Sequence, residues 1–327
     1  MTLYAALRTA LLVVRDERGD PTVERRLTDY DLECVEAHPD APDTVLVGTF
    51  DDGLYRSTDG AESFGRVAPE MESRVMSLAV NPTDPEEWWA GTEPSRVYHS
   101  TDAGATWAEK PGLTDLPSAE DWYFPPRPDT HHVRWLEVDP GNPAHLYAGI
   151  EAGALVQTFD RGETWEDKVE TSRFDNHSLA THPLAPDRVY SAAGDGYAES
   201  HDRGATWQYP QAGLHHRYTH SVAVDAGDPE VLVLSAASGP RAAHSPPGES
   251  YVYRREADGA WTQAMDGLPD PNGLLRAVLE PGDPGEFFAL TNHGVYRSTD
   301  GGVSWAALDV PWGEAFESQG GRGLAAV

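Results

Sequence analysis

Apolar residues come along this chain in short runs that alternate with polar ones or are solidly apolar, and turn formers punctuate them every eight to twelve positions. That is the signature of short β-strands. No segment carries the 3.6-residue period of an amphipathic helix. One stretch reads SLAV, NPTDPE, EWWAGT, VYHS, TDAGAT and Trp107, and the last unit repeats it as RAVLEP, GDPGE, FFALTN, GVYRS, TDGGVS and Trp305. Each unit is thus strand, turn, strand, loop, strand, turn and a closing aromatic strand.

The phrase Ser/Thr-x-Asp-x-Gly-x-Thr/Ser-Trp/Phe recurs from unit to unit. It runs from Ser57 to Phe64 (with Ala61 in the Gly place), Ser100 to Trp107, Thr158 to Trp165, Ser200 to Trp207 and Ser298 to Trp305, with a worn copy from Arg254 to Trp261. Measured at the Asp, with Glu256 standing in for it in the worn copy, the intervals are 43, 58, 42, 54 and 44 residues. A period near 40–50 fits a four-stranded propeller blade. In such a turn an Asp such as Asp102 accepts backbone N–H groups, Gly104 takes positive φ and Trp107 anchors neighbouring blades. The Asp residues therefore read as scaffold.

The N-terminal stretch LYAALRTALLVVRDERGDPTVERRL aligns with the second to fourth strands of the next unit but lacks a first strand, and RGLAAV at the C-terminus resembles the first strands. We therefore expect an all-β, seven-bladed β-propeller spanning 1–327 as one domain, with blade 1 built from 1–28 plus 320–327 and six blades in 29–319. Closure of this kind removes exposed sheet edges.

Composition narrows the function classes. Lys+Arg total 24 against 54 Asp+Glu, a formal charge of −30, and the only lysines are Lys110 and Lys168. Such a surface disfavours nucleic acid and anionic membrane and suits a salt-adapted protein, because self-repulsion this strong needs screening. Cys34 is the one cysteine, expected as a core filler. The apolar N-terminus lacks a cationic start and a cleavage site, no run is long enough to span a membrane, and no organic-cofactor motif is present, so a cytoplasmic location is expected.

Blade topology sorts residues onto two faces. The Asp phrases and the turns between first and second strands share one face; the second-to-third-strand loops and the links between blades share the other. This second face receives the insertions Pro111 to Thr130, with Trp122, Tyr123, Phe124 and Arg127, and Ala236 to Glu249, with Arg241 and His244. Insertions on one side of a repeat protein mark a binding surface. His131, His132, His177, His215, His216, His220, His244 and His293 fall there, with Arg8, Arg134, Arg173, Arg217, Arg241, Arg276, Trp135, Asn176, Tyr218, Asn292, Glu93, Glu151 and Asp195. His38 and His182 occupy turns of the opposite face.

A small polar or anionic ligand held by His131, His132, Arg134, Trp135, Arg173, Asn176, His177, His216, Arg217, His220, Arg241, His244, Arg276 and His293 is the leading expectation. The alternative is an enzyme with Glu151, Tyr218, His132, His177 and His220 as catalytic candidates. His132, His177, His220 and His293 would then hold a divalent transition metal for a hydrolase, lyase or oxygenase. A protein-assembly scaffold is the third reading.

The five clear phrases resemble the BNR/Asp-box repeats of the sialidase-like propeller superfamily over essentially the whole chain. The resemblance implies the propeller fold. It also implies a sialidase-type glycoside hydrolase as one activity, whose site needs three arginines, a Tyr paired with a Glu, and an Asp. Arg134, Arg217, Arg276 and Tyr218 are of the right types, whereas the Phe-Arg-Ile-Pro segment of sialidases is absent.

Overall fold

The computed structural model describes residues 1–15, 18, 19, 21–69, 71, 74–124 and 130–327. Arg127 lies outside the described residues. Seven antiparallel sheets stand around a central axis. Six of them run outward in chain order from the inner strands Leu32–His38, Arg74–Asn81, Val133–Val138, Asn176–Thr181, Tyr218–Asp225 and Val278–Pro281. In blade 1 the inner strand is Gly323–Ala326, paired to Thr2–Leu7, which continues to Ala10–Arg15 and Thr22–Arg26. The termini therefore share a blade, as expected. Each inner strand packs on the next and the last meets the first, so the ring is closed.

In blades 4 and 5 the fourth strand shrinks to single bridges, Gln157 to Glu166 and Glu199 to Gln208. The only α-helices among the described residues are the short Pro240–His244 and Glu314–Glu317. No helix among the described residues is long and apolar enough to cross a membrane.

The Asp phrases fold as the sequence suggests. Asp102 accepts the Thr106 N–H and hydroxyl at 2.8 and 2.6 Å, and the Ser100 hydroxyl donates to Asp102 while accepting the Gly104 N–H at 3.0 Å. Asp59, Asp160, Asp202 and Asp300 repeat this wiring. The turn needs two successive residues in the left-handed region, Ala103 (φ 56°) and Gly104 (φ 79°), and the local hydrogen bonds hold even a non-glycine there. Trp107, Trp207 and Trp305 are buried in the blade cores.

Blades approach one another closely at the second strand. A Cβ at Gly91 would stand 2.4 Å from Ser77 Oγ and 2.6 Å from Val133 of the next blade, so only glycine fits there. Cys34 is buried and its thiol is pushed far up by that burial, as befits a core residue. His38 and His182 accept the N–H groups of Asp40 and Leu184 within their turns.

One irregularity positions the site. The inner strands of blades 2 to 6 each slip register by one residue against their second strand, and the residues in the slips are Glu33, Met76, Arg134, His177 and His220. A bulge of this kind re-aims one side chain out of the pleat. Arg322, three residues before Ala325 as Glu33 is three before Glu36, holds the matching place in blade 1.

Candidate functional site

A cavity of about 380 Å³ opens at one end of the channel. Its wall includes four of the bulge residues, Glu33, Met76, Arg134 and His220, together with Arg322. The second-to-third-strand loops add Phe50, Glu93, Glu151 and His244, the links add Phe124, His132, Arg276 and Ser318 to Gly320, and Arg8 completes the wall. No Asp-phrase residue contributes.

Three carboxylates here are matched to cations. Arg322 Nη1 lies 3.0 Å from Glu33, Arg74 Nη1 2.8 Å from Glu93, and Glu151 Oε2 is shared by His132 Nε2 at 2.8 Å and Arg134 Nε at 3.4 Å. Burial pushes the Glu151 carboxyl up, but the His132 bond, His177 and Arg134 outweigh it and hold the group well below the usual range. Glu93 goes the other way, its carboxyl raised because burial outweighs His132 and Arg74.

Arg276 is different. It is only 4% exposed, and among the described residues no carboxylate lies within ion-pair distance of it. Its Nε–H donates to His244 Nδ1 at 3.2 Å and its Nη1 to the Gly321 carbonyl at 3.0 Å. Burial and the neighbouring Arg134 and Arg322 bring its pKa down to about 9, which still leaves it cationic at neutral pH. His220 is kept neutral by burial and by Arg276, and its buried Nδ1 has no partner among the described residues.

The bond from Arg276 fixes the tautomer of neutral His244, whose Nε2–H then donates to Tyr218 Oη at 3.0 Å. Tyr218 Oη in turn lies 3.4 Å from His177 Nε2, while His177 Nδ1–H donates to the Thr219 carbonyl at 2.7 Å. Burial and the nearby Glu151 and Asp175 raise the Tyr218 phenol, so it stays protonated.

Of the residues expected on this face, Arg8, Glu93, His132, Arg134, Glu151, His220, His244 and Arg276 line the cavity, and His177 with Tyr218 stands directly behind them. The others lie elsewhere. Trp135 donates its indole N–H to Glu137 and packs between blades; Arg173 lies over the Tyr209 ring; Asn176 bonds to Ser191 and the Arg173 carbonyl. His216 stacks on Tyr251, His131 meets the edge of Trp122, and Arg217 and Arg241 are exposed away from the cavity wall. His293 points at the Gly273 carbonyl, and His177 stacks face to face on His220 at 4.8 Å. The four imidazoles His132, His177, His220 and His293 therefore do not converge on one point. Of the insertion aromatics, Trp122 is buried in the core, Tyr123 is 50% exposed and Phe124 alone lines the cavity.

Glu33, Arg322 and Asp175 were not singled out in the sequence. The first two share the signal of Arg134 and His220, a polar residue three before a fixed inner-strand position. Asp175 has no such signal, since its carboxylate is placed by a neighbouring loop.

Fold and site together define a seven-bladed β-propeller with a polar, arginine-bearing channel mouth. The chain is similar to the propellers of glycoside hydrolase family 74 xyloglucanases. Xyloglucanase Xgh74A of Acetivibrio thermocellus is 26% identical over 214 residues, covering 50% of this chain and 24% of that enzyme. The matched stretch thus spans about a quarter of that relative's length. Among solved structures, the GH74 enzyme of Niastella koreensis superposes with a TM-score of 0.70 at 15% identity, over 97% of this chain and 54% of that one. YCF48 bound to D1 peptide gives 0.58 at 18% identity, over 86% and 82%. At these identities the structural likeness shows the fold. No family model matches the chain.

Proposed function

We propose that the protein binds a small anionic ligand at the mouth of its channel. The observation that carries this reading is Arg276, a buried guanidinium with no carboxylate in ion-pair distance among the described residues, facing a cavity it shares with Arg8, Arg134 and Arg322. Leaving such a charge buried is costly unless a ligand supplies the counter-charge, and guanidinium forks suit carboxylate or phosphate oxygens. The cavity volume of about 380 Å³ suits a small molecule. Malonate, titrated calorimetrically in dilute chloride, is the probe. Arg276→Met should weaken its binding about 10- to 100-fold, the worth of one charge-assisted hydrogen bond. Absence of binding to the unmodified protein, or binding indifferent to the substitution, refutes the reading.

A second reading is favoured by the relatives and by one pair of residues. Glu93 and Glu151 line the same cavity with acidities pushed in opposite directions, which suits Glu93 to the role of proton donor and Glu151 to that of the carboxylate that stays ionised in glycoside cleavage. The resemblance of the Asp phrases to the repeats of sialidase-like BNR propellers supports this reading. Release of reducing ends from xyloglucan oligosaccharides is the measurement that decides it.

A further inference from the structure

We propose a divalent transition-metal site behind the cavity wall, formed by His177 Nε2, Glu151 Oε1 and Asp175 Oδ2, with Tyr218 Oη beside it. The three ligand atoms lie within 4.8 Å of one another. Around His177 Nε2 stand Asp175 Oδ2 at 3.6 Å, Glu151 Oε1 at 3.7 Å and Tyr218 Oη at 3.4 Å. All three separations exceed a good N–H···O hydrogen bond. They match atoms that share a central ion instead, since ligands about 2.1 Å from zinc at near-tetrahedral angles sit about 3.4–3.7 Å apart.

The outer atoms of every ligand are already held. His177 Nδ1–H donates to the Thr219 carbonyl at 2.7 Å, which leaves the Nε2 lone pair, met among the described residues only by the Tyr218 hydroxyl at 3.4 Å, on the side of the carboxylates. Glu151 Oε2 is fixed by His132 and Arg134, and Asp175 Oδ1 accepts the Ala152 N–H at 3.0 Å. Metal sites are built this way, with orienting bonds on the far atoms and free donors facing inward. His177 is 1% and Glu151 8% exposed, so these two inward donors are screened from competing water, while the Asp175 side chain is 23% exposed.

A further observation concerns Gly194. A Cβ there would stand 1.9 Å from Asp175 Oδ2, so a missing side chain makes room for the carboxylate at this spot. Imidazole with two carboxylates suits zinc, manganese or ferrous ions, the harder oxygen ligands balancing one nitrogen. The set differs from four histidines: two of its members are carboxylates, and His220 only stacks on His177.

The test uses the full chain, stripped with a chelator and titrated with Zn²⁺ in molar KCl so that surface carboxylates do not contribute. One equivalent should bind, and Co²⁺ should give visible d–d bands. Asp175→Asn and Gly194→Ala should each lower Zn²⁺ affinity at least about 10-fold and abolish the Co²⁺ bands, with circular dichroism confirming the fold. The titration contains no malonate or other added carboxylate, so its outcome does not depend on the anion reading. Isotherms of the unmodified protein that superimpose on those of Asp175→Asn or Gly194→Ala, or bind less than a tenth of an equivalent, overturn the proposal.

Discussion

Replacing Glu36 by glutamine should make the propeller more stable in alkaline solution and leave it unchanged in mild acid. Glu36, Glu137 and Glu280 hold one equivalent position on the inner strands of blades 2, 4 and 7, where blades 1, 3, 5 and 6 carry Ala325, Ala79, Ala180 and Ala223. Burial, assisted by repulsion from Glu137 and opposed by the Ala37 N–H, lifts the Glu36 carboxyl from 4.5 to about 8. Burial lifts Glu137 to about 7 against bonds from Thr181 and Trp135, and burial with both neighbours lifts Glu280 well above its ordinary value.

The unfolded chain releases the Glu36 proton near pH 4.5 and the folded chain keeps it until about pH 8. Folding stability therefore falls as pH rises through that window, because the native state binds the extra proton. The full shift is worth at most roughly 5 kcal/mol. A domain of this length has an unfolding entropy near 0.7 kcal/mol per kelvin, so the ceiling is about 7 °C in Tm. Glutamine keeps a carbonyl for the Ala37 N–H, which now bonds Glu36 Oε1 at 3.0 Å, and removes the charge. Thermal unfolding at pH 5 and pH 9 in the same molar KCl is the assay. Glu36→Gln should gain several degrees over the unmodified protein at pH 9 and match it at pH 5. An equal shift at both pH values, or a loss at pH 9, refutes the argument from half-buried like charges that the inner strands hold away from bulk water.

With a formal charge of −30, the Tm should climb by more than about 5 °C between 0.1 and 2 M KCl as the Debye length shrinks; a flat profile would count against salt adaptation. If the cavity cleaves glycosides, Glu93→Gln should lower kcat about 100-fold. The activity of the unmodified enzyme should also fade as pH rises through the elevated Glu93 pKa, because the acid must be protonated; turnover that survives the substitution removes Glu93 from that role.

The sequence by itself determined the architecture. The Asp and Ser/Thr side chains of each clear phrase bond within its own eight residues, from Ser100 to Trp107 for example, so its period reports blades with little knowledge of distant contacts. The missing first strand at one end and the spare strand at the other, RGLAAV, likewise announced closure, and Gly323–Ala326 pairs with Thr2–Leu7. Face membership was legible too: His132, Glu151, His244 and Arg276, assigned to the loop-and-link face, line the cavity.

Only the tertiary structure decided which of those residues meet. A single slipped residue in an inner strand turns Arg134 to the channel and sends Trp135 between blades, and simple strand alternation cannot announce a bulge. Arg173 and His216 share the face but are captured by Tyr209 and Tyr251 at the rim. Asp175 reaches Glu151 and His177 through space left by Gly194, nineteen residues further along the chain, a contact written in the packing of neighbouring blades and in no local pattern.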